Sequence, residues 1–194
     1  MTLLIVGLVL FLGVHSVSII ARGWRDGMVE RLGEGPWKGL YSLVSLVGFG
    51  LVIYGWTQAR LSPVLIWMPP AGLRHAVMLL MLPVFILLLA VYLPGRISRM
   101  AGGHPMLLAT KIWASSHLLA NGYLHEMLLF GGFLVWGVAD RISMKRRGPG
   151  PAAGAAEGGR NDVLAVIGGL ALYAVTVLWG HQWFAGVGVI SLGG

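Results

Sequence analysis

The chain has 194 residues, is 57% hydrophobic and 11% charged, and contains no cysteine. Ordinary soluble domains carry about a quarter charged residues, so this composition excludes a water-soluble globule and implies an integral membrane protein. The missing thiols exclude disulfides, iron–sulfur clusters, thiolate haem ligation and Cys-based zinc sites, and the net charge of +7 lies in short connectors, a topology signal that implies no nucleic-acid partner.

Six apolar runs are predicted to cross the membrane. The first covers residues 2–21; its first positive charge, Arg22, follows the run, so it reads as a retained span and not as a cleaved leader. Residues 22–38 form a polar connector in which Trp24, Met28 and Leu32 recur at helical spacing, predicting a short interfacial helix. The second span covers 39–58, where Gly48, Gly50 and Gly55 permit close helix approach. Pro63, Pro69 and Pro70 forbid a regular helix over 61–73, and Trp67 there suits a membrane–water boundary. The third span, 74–93, has Pro83 at its middle and is expected to kink. A loop over 94–103 carries Arg96 and Arg99, and a short fourth span covers 105–120. Asn121-Gly122 turns the chain into the fifth span, 123–139.

The expected organisation is therefore a membrane core over 1–144, a flexible Gly/Pro/Ala-rich linker over 145–161, and a sixth helix with a glycine-rich tail over 162–194. The fold class is all-α, an integral membrane bundle of six transmembrane helices. Lys and Arg concentrate in the connectors after the first, third and fifth spans, which places those on the cytoplasmic side and both termini on the periplasmic side.

Ionisable side chains inside spans are costly, and so they are the candidate functional residues. His15 lies roughly 9 Å from the cytoplasmic end of the first span, and His117 roughly 18 Å into the fourth. Both suit ligation of a metal or a haem iron; the alternative is a structural hydrogen bond across the bundle. Arg22, at i+7 from His15, is positioned to meet a haem propionate, and Trp113, one turn from His117, to flank a porphyrin. Lys111 either snorkels to the headgroups or pairs with an anionic group. His75, His125 and His181 sit at span ends and are expected to be interfacial.

The stretches LVLFLGVHS (8–16), RLGEGPWKGLYSLVSLVGF (31–49), IWMPP (66–70), LRH…LMLPVF (73–85), HPMLLATKIWASSHLLANG (104–122) and DRISMKRR (140–147) together resemble the NnrU family of bacterial membrane proteins. That resemblance implies an inner-membrane protein with an accessory role in denitrification or nitric-oxide metabolism. The same domain is similar to the plant 15-cis-zeta-carotene isomerases, which bind haem b. This implies haem b ligation by His15 or His117, with His104 structural or modulatory. It also implies, as an alternative, a haem-dependent isomerase of a carotenoid or prenoid double bond acting on a lipophilic substrate. The isomerases carry a cysteine three residues before the position of His117, where Ala114 stands here, so a thiolate switch is unavailable. A third alternative is a non-catalytic assembly protein of a respiratory or denitrification complex. HP followed by Trp113 shares part of a membrane-methyltransferase signature, but Gly103 precedes it and no Glu-Glu pair follows.

Overall fold

The computed structural model describes residues 1–148 and 159–190, and those residues are all-α apart from one isolated bridge between Leu65 and Tyr123. In chain order the helices are α1 (Thr2–Ile20), α2 (Arg22–Leu32), α3 (Glu34–Ala59), α4 (Leu73–Tyr92), α5 (Arg96–Met100), α6 (Pro105–Ala120), α7 (Leu124–Lys145) and α8 (Gly159–Val175). A π-helical turn, Thr176–Gly180, then leads into α9 (His181–Ala185). Most of the expected linker, 149–158, and the end of the tail, 191–194, lie outside the described residues.

Five helical stretches are long and apolar enough to cross a membrane: α1, α3, α4, α7 and the continuous Gly159–Ala185 segment. The chain is a multi-pass membrane protein. The expected fourth span, α6, is helical over the expected residues, but its 16 residues reach only about 24 Å, short of the ~30 Å hydrocarbon layer. Other boundaries differ from the sequence reading, and α3 begins at Glu34, five residues before the expected start of the second span. The expected loop over 94–103 contains the helix α5, and the fifth span continues past Ala139 to Lys145.

The chain forms two compact units. The first comprises Met1–Leu73 and His117–Arg146. Within it α1 and α3 run antiparallel: Leu4 meets Gly55, Gly7 meets Val52 and Phe11 meets Gly48. A Cβ on Gly7 would lie 2.5 Å from the Val52 nitrogen, and one on Gly48 would lie 2.7 Å from the Phe11 nitrogen. Glycine is therefore required at these crossings, because lipid provides no hydrophobic drive between helices and close backbone contact must supply the attraction. Of the three glycines singled out in the second span, Gly48 and Gly55 make such contacts, whereas Gly50 faces open space. Helix α7 joins this pair running parallel to α1, with Leu128, Leu129 and Phe133 packed on the Leu4–Leu8–Val52 core. The outward faces stay apolar, as at Leu46 and Val135, which is the surface a bilayer solvates.

The Pro-rich segment that was expected to be irregular is irregular, and it also has a partner. Ile66 N–H donates to the Gly122 carbonyl (2.8 Å), Leu124 N–H donates to the Val64 carbonyl (2.8 Å) and the Trp67 indole N–H donates to the Asn121 carbonyl (3.1 Å). Any side chain on Gly122 would strike the Trp67 carbonyl, so the Asn121-Gly122 turn is held against the segment by backbone contact.

The second unit comprises Arg74–Ser116 and the described residues from Arg147 on. Val84, Leu87 and Ala109 form its core, with Phe85, Ile112 and Trp113 packed around them. Gly169 lets α8 approach α4, since a Cβ there would lie 2.6 Å from the Ile86 Cα. Tyr173 O–H donates to the Met78 carbonyl (3.0 Å) on the same pair of helices. Asp162 holds the start of α5: its carboxylate accepts from the backbone N–H groups of Arg96 (3.0 Å) and Ile97 (2.9 Å), and the Asn161 side chain donates to the Pro94 carbonyl (2.9 Å). This cap from a distant helix makes α5 a helix where the local sequence reads as a loop, because its first amides have no intrahelical acceptor. Removing the carboxylate with Asp162→Ala is expected to cost about 1–2 kcal/mol locally. Amide exchange at Arg96 and Ile97 should accelerate about tenfold while exchange in α1 is unchanged, and Asp162→Glu should not reproduce the wild-type protection.

Candidate functional site

His15 lies on the inner side of α1, five residues before the helix ends at Ile20. Its Nδ1 is 2.6 Å from the Phe11 carbonyl oxygen. A carbonyl only accepts, so in the neutral imidazole Nδ1 carries the proton and Nε2 keeps its lone pair. A histidine oriented in this way, with one ring nitrogen bonded to a main-chain carbonyl, is the arrangement that metal-ligating imidazoles use. Three aromatic rings surround it: Phe11 with centroids 4.3 Å apart, Tyr41 at 5.2 Å, and Trp136 edge-on at 6.1 Å and 88°. These rings come from α1, α3 and α7, brought together by the glycine-mediated crossing.

The Trp136 indole nitrogen is buried and has no hydrogen-bond partner. An orphaned donor of this kind costs roughly 1–3 kcal/mol unless something accepts from it. Trp136 sits mid-helix in a membrane span, away from the interface that tryptophan favours. The sequence held no such signal: with the fifth span expected to end at 139, Trp136 stands about one turn from a membrane–water boundary, where tryptophan is ordinary, and it is the continuation of α7 to Lys145 that moves it inward.

His117 occupies the last turn of α6 and stacks on Phe130, with centroids 4.5 Å apart and planes at 29°. Its carbonyl accepts from both the Asn121 backbone N–H and the Asn121 side-chain amide (2.9 Å each), closing the turn into α7. His15 and His117 therefore belong to the same unit and both face α7, but they meet it at different turns. Phe130 and Trp136 are six residues apart, roughly 9 Å along the helix axis.

The other expected site residues fall elsewhere. Helix α1 ends at Ile20, and Ala21 breaks the register (φ −134°, ψ 51°). Arg22 thus starts α2 and does not extend the face of His15; its side chain is 63% exposed and pairs with Asp26 at 3.7 Å. His104, Lys111 and Trp113 belong to the second unit. Trp113 packs on the Val84–Leu87–Ala109 core, Lys111 is half-buried, and His104 is the residue before Pro105, its carbonyl accepting from Leu108 N–H (3.2 Å). His75 is exposed.

His125 departs from the expected interfacial setting. It is 2% exposed, and its ring lies 6.2 Å from Trp56 and 5.8 Å from Tyr123. Tertiary packing of α3 against α7 buries it, and its position at a span end gave no warning of that.

Among the described residues no three His, Asp or Glu side chains converge as a metal site; a haem iron needs only one or two imidazoles. No curated protein and no solved structure matches the chain. The family model described as NnrU protein matches residues 3–189, reaching beyond the core at 1–144 and through the last helix. The chain belongs to the NnrU protein family.

Proposed function

We propose that this protein binds haem b within its first unit and serves an accessory redox or nitric-oxide-related role in denitrification, the process to which the family is linked. The observation that carries the reading is the His15 imidazole, pinned through Nδ1 to the Phe11 carbonyl and walled by Phe11, Tyr41 and Trp136. The residues fit the group. An oriented neutral imidazole in an apolar setting would hold the iron through its free nitrogen, and the orphaned Trp136 N–H would donate to a group bound beside it. When bound, haem b supplies a redox-active iron able to coordinate small diatomic gases. The protein's part is to hold Nε2 of His15 deprotonated, to exclude water with the three rings, and to offer the Trp136 N–H. His117 is the candidate for a second ligand. Arg22, exposed at the neighbouring helix start, is the candidate counter-charge.

The test is an absorption spectrum of the detergent-solubilised protein, oxidised, reduced, and reduced with carbon monoxide. A Soret band with a haemochrome signal is expected. No Soret band after haem supplementation overturns the reading. If His117 is the second ligand, His117→Ala should convert the spectrum from low spin to high spin and open a carbon monoxide site that the wild type lacks.

We further propose six crossings of a bacterial inner membrane, with α6 as the short one and both termini periplasmic. The parallel course of α1 and α7, inferred from their paired residues, supports two spans of the same sense. The cysteine-free chain permits a direct check. In intact cells a membrane-impermeant maleimide should label Gly72→Cys and leave Gly27→Cys unlabelled; the reverse pattern would invert the topology.

A further inference from the structure

We propose that the loop between α3 and α4, from Leu61 to Met68, is seated in the bilayer and packs on the acyl-chain border beneath the lipid headgroups. The seat is separate from the His15 site and does not depend on haem. Loops that face water are polar, but no residue from Leu61 to Leu73 is charged. Five large apolar side chains stand exposed on this loop: Leu61 (75%), Val64 (48%), Leu65 (51%), Ile66 (52%) and Met68 (77%). A contiguous exposed patch of this kind marks a contact with protein or membrane.

The position of the loop selects lipid. It joins α3 to α4, two helices of membrane-crossing length, so both of its ends are fixed at the membrane boundary. Its apolar surface carries on from Ile53 and Tyr54, exposed near the end of α3, a face the bilayer solvates. Arg60 and Arg74 bracket the segment, and such charges reach the headgroups while the stretch between them dips. Irregular backbone enters hydrocarbon only with its polar groups paired, and this backbone meets that condition around the bridge. Pro63, Pro69 and Pro70 have no N–H to satisfy. Ile66 N–H (2.8 Å) and Trp67 N–H (3.3 Å) both donate to the Gly122 carbonyl, and the Val64 carbonyl accepts from Leu124 N–H (2.8 Å). The Trp67 indole N–H donates to the Asn121 carbonyl (3.1 Å). A loop held out for a water-soluble partner would need none of this pairing, because water would satisfy the same groups.

The experiment uses the full chain, which has no cysteine of its own, with a nitroxide on Ile66→Cys or Met68→Cys in vesicles of phosphatidylethanolamine and phosphatidylglycerol. Both side chains are exposed, so the label displaces no packing. Power saturation compares collisions with oxygen, which concentrates in hydrocarbon, and with a nickel chelate confined to water. Leu46→Cys, 68% exposed on α3, calibrates lipid, and Glu30→Cys, exposed on α2, calibrates water. At both loop positions the label should favour oxygen, as at Leu46, at a depth of about 5–10 Å past the headgroup boundary. A label that favours nickel, as at Glu30, puts the loop in water and overturns the proposal. Few collisions with either reagent would mean that a second copy or another protein covers the loop, which overturns it equally.

Discussion

Replacing His15 by alanine is expected to reduce the haem retained on purification to below about a tenth of wild type, because losing a direct ligand should cost at least the 10–100-fold seen when a second-shell partner is lost. The substitution removes the nitrogen that the Phe11 carbonyl orients (2.6 Å) and leaves the surrounding rings of Tyr41 and Trp136 with a gap. A structural role would also be damaged by that gap, so the discriminating measurement is rescue. Exogenous imidazole should restore the Soret band to His15→Ala, since it can supply the missing nitrogen without the tether. Trp136→Phe keeps the ring and removes only the orphaned N–H; it should retain haem but shift its reduction potential or its ligand-binding rates. A His15→Ala variant that holds haem as well as wild type would remove His15 from the ligand set and with it the main support for the reading.

The second large effect concerns the crossing of α1 and α3. Gly48→Ala places a methyl group 2.7 Å from the Phe11 nitrogen, closer than real contacts allow, and the obstacle is backbone that cannot rotate away. The helices must separate, and the loss is expected to be about 1–3 kcal/mol or more. Gly55→Ala meets the Leu4 backbone in the same way. Gly50→Ala is the matched control: it lies on the same helix, faces open space, and should be neutral or slightly stabilising because alanine favours the helix. Reversible unfolding in mixed micelles, followed by circular dichroism, separates them. Equal midpoints for Gly48→Ala and Gly50→Ala would show that close approach at this crossing does not hold the unit together. Because Phe11 is on the face that Gly48 meets and its carbonyl orients His15, Gly48→Ala should also weaken haem retention, whereas Gly50→Ala should not.

The helices were largely legible in the sequence because hydropathy and helix-breaking residues act locally. The apolar runs at 2–21 and 105–120 reappear as α1 and α6 within a residue or so, and the Pro63–Pro70 segment is irregular. The local signal fails where a distant residue decides. α5 exists because Asp162, over sixty positions away, accepts from its first two amides. The π-helical turn at Thr176–Gly180 inserts into a run whose apolar character is unchanged, so periodicity does not mark it.

Composition and pattern alone determined that this chain lives in a membrane, where its long apolar helices fall, and that no thiol chemistry is open to it, since these follow from side chains counted along the chain. Tertiary structure alone decided which glycines touch a neighbouring backbone, that His125 is buried, and that His15 and His117 meet α7 at turns roughly 9 Å apart. Those outcomes depend on which helix face meets which, and neighbouring helices at different registers share the same hydropathy.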